Sequence, residues 1–140
     1  KRCPDVHWVI CRGRKQVDNL FPKSTNVELK GYLEEDELRK QMDISDVSLN
    51  IMEDTVGSNV ITTSMAMGLA MVVSDVGSIR DYCTEENTIF CNNKVEEFCK
   101  AISELGNDKG RVKSMKMNSL NYSSKLIIEN IHKYISSLCL

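Results

Sequence analysis

Val47-Ser-Leu-Asn-Ile-Met-Glu-Asp-Thr-Val-Gly-Ser-Asn-Val-Ile-Thr-Thr-Ser-Met-Ala-Met-Gly-Leu-Ala-Met-Val-Val73 is the stretch on which the fold turns. Residues 47–52 (VSLNIM) read as a β-strand, and 53–58 as a loop. Residues 59–67 read as a helix that Gly68 stops in the left-handed conformation. Residues 70–73 are a continuous apolar run, as expected of a strand covered on both faces. The 55–74 segment carries no charge over twenty residues, about the length a bilayer requires. It also contains Thr55, Ser58, Asn59, Thr62, Thr63, Ser64 and two glycines, so its transfer into lipid is poor. A buried helix followed by a buried strand explains it better, and no transmembrane segment is expected.

The same alternation extends outward on both sides. Residues 6–11 (VHWVIC) form a β-rich run that closes on Arg12-Gly13-Arg14. A short helix is expected at 17–20 before Pro22, and a short strand at 27–29 ending at Gly31. Residues 35–42 (EDELRKQM) are good helix formers with acids first and bases later, matching the helix dipole. Further on, the turn 75–78 leads into a short helix at 79–82, and 88–91 read as the last strand. The 95–105 helix puts Val95, Phe98, Cys99, Ile102 and Leu105 on one face. The tail 111–138 reads as helical with a break near Tyr122-Ser123. Strands separated by helices, with uniformly apolar central strands, predict an α/β domain with a parallel sheet. Ligands of such sheets sit off the carboxyl ends of the strands, where three loops fall: 12–15, 53–58 and 75–78.

At 140 residues the chain is one domain long. Eighteen Lys and Arg against twenty Asp and Glu give a net charge of -2, which argues against a nucleic-acid binder driven by counterion release. Six cysteines lie scattered, with no C-x-x-C pair, and only His7 and His132 could join them. Neither a disulfide framework nor a zinc site is expected; the thiols read as free, buried and cytoplasmic. No basic-apolar-small pattern opens the sequence, so no signal sequence is expected in it. The chain begins at Lys1 and runs almost at once into an apolar strand, so it is expected to be a piece of something longer.

Among the three loops, 53–58 says most. It leads from a strand into a helix and places Gly57, Ser58 and Asn59 at the helix start. The unpaired amides of Ser58, Asn59 and Val60, together with the helix dipole, form a cradle for phosphate. The plain alternative is that Ser58 or Asn59 caps the helix. Glu53 and Asp54 at the strand end either bind hydroxyls or sit solvated. Gly13, flanked by Arg12 and Arg14, would admit a diphosphate near the backbone, but a single glycine after a strand is weak. No G-x-G-x-x-G is present, so a nicotinamide dinucleotide domain lacks its fingerprint. A phospho-acceptor receiver domain needs acids at the end of the first strand, where Cys11-Arg12 stand.

The 54–81 stretch (DTVGSNVITTSMAMGLAMVVSDVGSIRD) resembles the donor-site region of group 1 glycosyltransferases with the GT-B fold. That region reads as an acid, a glycine loop, then E-A-M-A-x-G-x-P-V-V-x-S-x-x-G-G. Upstream, Asp5-Val-His-Trp-Val-Ile10 followed by Gly13, Val27-Glu-Leu-Lys-Gly-Tyr32, Glu37-Leu38 and Ser45-Asp46-Val47 extend the similarity. Downstream, Asn87 and the 95 and 111 helices fit in order. The resemblance implies a Rossmann-like parallel sheet flanked by helices: a single, truncated C-terminal GT-B domain over 1–140.

It further implies binding of a nucleotide-diphosphate sugar as substrate, without a cofactor. Gly57, Ser58, Asn59 and Val60 would hold the diphosphate. Glu53 or Asp54 would be the catalytic acid touching the donor sugar, and Tyr32 and Leu33 after Gly31 would lie against the base. The implied enzyme is a retaining, metal-independent hexosyltransferase of polysaccharide or glycolipid synthesis, cytoplasmic, whose parent could associate peripherally with a membrane. Two features depart from the family. Thr63 stands where a second glutamate receives the ribose hydroxyls, a loss on the order of 1–3 kcal/mol of donor binding. Ala70 and Ser78 replace the usual proline and second glycine, both mild changes. The family's basic phosphate clamp and its N-terminal acceptor domain would precede Lys1, so the isolated chain is expected to be inactive. The competing expectation is a non-catalytic nucleotide-binding or interaction module with a degenerate donor site. Leu126, Ile127, Ile131, Tyr134, Ile135 and Leu138 are too apolar for water alone, so they predict a homodimer of the fragment or a cover for its incomplete core.

Overall fold

The computed structural model describes residues 3, 5–11, 24–126 and 136. The turn at Arg12-Gly13-Arg14, the 17–20 helix and the tail beyond Leu126, except Ser136, lie outside the described residues. In chain order the elements are β1 (Trp8–Cys11), β2 (Val27–Lys30), α1 (Glu35–Asp43), β3 (Val47–Asn50), α2 (Asn59–Ala66), β4 (Ala70–Ser74), a 3-10 turn (Ile79–Asp81), β5 (Thr88–Cys91), α3 (Val95–Asn107) and α4 (Lys109–Lys125).

Among the described residues all strand pairing is parallel, and it falls into two sheets. β1 pairs with β2, with Trp8 opposite Val27. β4 is the middle strand of the other sheet, pairing with β3 (Val47 opposite Ala70) and with β5 (Met71 opposite Thr88). No described strand pairs with the other edge of β1 or of β3. Those two edges look onto one cleft of about 2020 Å³, closed further by α1, α2 and α4.

Every residue of β4 is buried, and its alternation divides the core in two. Ala70 and Val72 pack with Phe98, Ile102 and Leu105 of α3 and Met115 of α4. Met71 and Val73 pack with Ile61 and Met65 of α2 and with Ile79 and Cys83. This is the pattern of a strand covered on both faces. α1 contrasts with it: a reciprocal Glu34–Glu37 capping box starts the helix, yet none of its residues is buried. Its apolar Leu38 and Met42 line the cleft.

The tail differs from the expected break. α4 runs unbroken through Tyr122-Ser123 to Lys125. The hydroxyls of Ser123 and Ser124 donate back to the carbonyls of Leu120 and Asn121, at 2.9 and 2.8 Å. Tyr122 Oη donates to the Glu86 carboxylate at 2.8 Å, tying that helical turn to the loop ahead of β5. The helix also starts earlier than 111, because Asp108 caps it by accepting the Arg111 amide at 2.8 Å. The five described cysteines are free, but only Cys83 and Cys91 are buried; Cys11 is exposed at the end of β1. Burial pushes the Cys83 thiol above its ordinary value.

Candidate donor site at the carboxyl ends of β3 and β4

The chain leaving β3 is fastened to β4 at two points. Near the strand, Ser74 Oγ accepts the Met52 amide at 2.8 Å and donates to Asn93 Oδ1 at 2.6 Å. Asn93 Nδ2 completes the ring by donating to the Met52 carbonyl at 2.8 Å. Farther out, the Ser78 amide donates to the Thr55 carbonyl at 2.9 Å and Ser78 Oγ to the Val56 carbonyl at 2.6 Å. Gly77 makes that approach feasible. Its φ is +54°, and a Cβ there would stand 1.9 Å from the Thr55 carbonyl oxygen. No side chain fits in that space.

Between these fastenings the two acids differ. Asp54 Oδ1 turns inward and accepts the Thr55 amide at 2.8 Å. Glu53 is exposed and makes no hydrogen bond or ion pair among the described residues. The loop then delivers Ser58 to the start of α2. Ser58 is extended and caps the helix, its Oγ accepting the Ile61 amide at 3.4 Å. The plain capping role is therefore real, but it satisfies one donor. The amides of Asn59 and Val60 belong to the first turn, which has no intrahelical acceptor, and α2 has no acid there to offset its dipole. The rim is open: a Cβ on Gly57 would meet nothing within 4 Å, and Val56 and Val60 are 92% and 59% exposed.

The remaining candidates divide between cleft and rim. Tyr32, Leu33, Asn59, Val60 and Thr63 line the large cleft; Glu53, Asp54, Gly57 and Ser58 are not on its wall. Tyr32 is 57% exposed, and Gly31 beside it has open space where a Cβ would stand. Thr63 faces the cleft one turn beyond Asn59. Gly13 and Arg14 lie outside the described residues.

Sequence reading missed the polar wall behind Thr63. Ser48 Oγ accepts Asn50 Nδ2 at 2.9 Å and Ser64 Oγ at 2.8 Å, and all three residues line the cleft. The available signal was polar residues in the otherwise apolar VSLN strand. Asn93 and Ser74 were also missed; a serine closing an apolar strand was the only hint. Among the described residues no group of His, Cys, Asp and Glu could hold a metal ion, and no described helix is long and apolar enough to cross a membrane.

The family model for group 1 glycosyl transferases matches residues 1–108. The chain belongs to the group 1 glycosyl transferases. Among solved structures, this family member is similar to HepE from Anabaena, crystallised in complex with UDP, at a TM-score of 0.63 and 16% identity. The match covers 80% of this chain and 32% of that one, so the chain spans about a third of the HepE chain. The likeness shows the α/β fold of parallel sheets flanked by helices, of GT-B type. No curated protein matches the chain.

Proposed function

We propose that this glycosyl transferase chain is the donor-binding part of a longer enzyme, and that it holds a nucleotide-diphosphate sugar at the start of α2. The observation that carries the reading is the open helix start at the carboxyl end of β3, with a bare Gly57 and an unoffset dipole. Diphosphate oxygens would take the Asn59 and Val60 amides and the Ser58 hydroxyl. Tyr32 and Leu33 would lie along the base, and an acid of the Glu53-Asp54 pair would meet the sugar. Amides and dipole fixed before the reaction stabilise charge on the departing diphosphate, which supports departure without a divalent metal. A retaining transfer of a hexose, in cytoplasmic polysaccharide or glycolipid assembly, is the corresponding role of the parent enzyme.

The cleft supports placing a further part of the parent beside these residues. One parallel strand between β1 and β3 would join β2-β1 and β3-β4-β5 into the usual doubly wound order. The reversal of strand order would then fall next to β3, where ligands of such sheets bind.

A second reading, a nucleotide-binding module without catalysis, is favoured by Thr63, a single hydroxyl where a carboxylate would grip ribose. Titration calorimetry with UDP, GDP and their sugars decides between these. Sugar-dependent affinity supports the donor site, binding of bare nucleotide alone supports the module, and no binding overturns both.

A further inference from the structure

Gly77 and Ser78 follow β4, more than twenty residues beyond the acids, yet they lie directly against the acid loop. The three heavy atoms nearest a Cβ on Gly77 are the Thr55 carbonyl oxygen, Asp54 Oδ1 and the Thr55 carbonyl carbon. Ser78 donates to two successive carbonyls, Thr55 and Val56. The Ser74–Asn93 ring holds Met52 on the other side. Glu53 is thus the residue left between two clamped stretches of backbone, while one oxygen of the Asp54 carboxylate, Oδ1, is held by the Thr55 amide.

We propose that Gly77 and Ser78 are positioning residues for the donor site, a clasp that sets the stance of the 53–58 loop and leaves Glu53, not Asp54, as the acid that meets the sugar. The inference rests on the donor-site reading above. Asp54 then acts through the backbone: its oxygen holds the Thr55 amide, and its charge is incidental. Any side chain at 77 forces the loop away from β4 and carries Glu53 with it.

Two measurements test this. Without ligand, amide hydrogen exchange in Ser78→Ala should quicken about tenfold or more at Thr55 while the Val72 amide of β4 stays unchanged. Equal quickening at both sites, or none at Thr55, overturns the clasp. Gly77→Ala should give the same pattern; should it fail to fold, Ser78→Ala carries the test alone. With ligand, the affinity ratio of nucleotide-sugar to bare nucleotide is read by calorimetry over a panel of UDP- and GDP-sugars. Glu53→Gln and Ser78→Ala should lower the ratio roughly fivefold or more, as loss of a charged hydrogen bond does. Asp54→Asn, which keeps the oxygen the Thr55 amide uses, should leave it within about twofold. A ratio that falls with Asp54→Asn and not with Glu53→Gln overturns the assignment, and so does a wild-type chain that prefers no sugar-bearing nucleotide. A chain that binds no nucleotide overturns the donor reading instead, and the exchange measurement still decides the clasp.

Discussion

Ser119 Oγ of α4 donates to the carbonyl of Leu69 at 2.7 Å, and the same oxygen accepts Asn87 Nδ2 at 3.4 Å. Ser119 and Asn87 are fully buried, so one hydroxyl ties the last described helix to the entrances of β4 and β5. Ser119→Ala leaves a buried carbonyl and a buried amide unsatisfied, at about 1–3 kcal/mol of stability. Urea unfolding should show a lowered midpoint at unchanged slope.

Gly68 ends α2 with φ +66°, and a Cβ there would stand 3.0 to 3.2 Å from three carbons of Leu120. Gly68→Ala therefore meets both backbone strain and α4, a cost of about 1–3 kcal/mol. Adding Leu120→Ala removes the contact but not the strain. The double mutant should lose less than the sum of the single losses, a coupling that thermal unfolding of the four proteins measures.

Asp75 and Arg80 form a bidentate pair, 2.7 and 2.8 Å, with the Arg80 guanidinium 4.1 Å from the centre of the Phe90 ring. The guanidinium holds the Asp75 carboxyl below its ordinary value of 3.8. Because the folded value is the lower one, the contribution is complete above the unfolded value and fades as pH falls through the folded one. Asp75→Asn should unfold at a lower temperature than the parent at neutral pH and converge with it in acid, well below pH 3.8. Parallel melting curves at both pH values would show an unrelated cause.

Thr63 stands on the cleft wall, exposed, one turn from the helix start. On the donor-site proposal, Thr63→Glu would supply a carboxylate to ribose hydroxyls and should tighten nucleotide binding roughly tenfold. Deoxyribose nucleotides serve as the control, since they should gain less.

What could be read from residue order was the local part. The apolar AMVV run and Gly68 located β4 and the end of α2, and Thr88–Cys91 was placed to the residue. Each of those signals sits within a few neighbours. The break assigned to Tyr122-Ser123 failed because serine hydroxyls can also bond back into their own helix, as Ser123 and Ser124 do. The Met52–Ser74–Asn93 ring joins residues up to 41 positions apart, and nothing local in Asn93 announces its partner. Likewise Gly77 was legible only as part of the 75–78 turn ahead of a short helix; folding shows the Thr55 carbonyl occupying the place of its missing side chain.

The outer edges of β1 and β3 have practical weight for anyone preparing these 140 residues. Each presents backbone donors and acceptors that no described strand satisfies, with Leu49 and Ile51 exposed alongside. Such borders template foreign strands, so the polypeptide is expected to self-associate as its concentration rises, and dilute preparations should keep it dispersed longest.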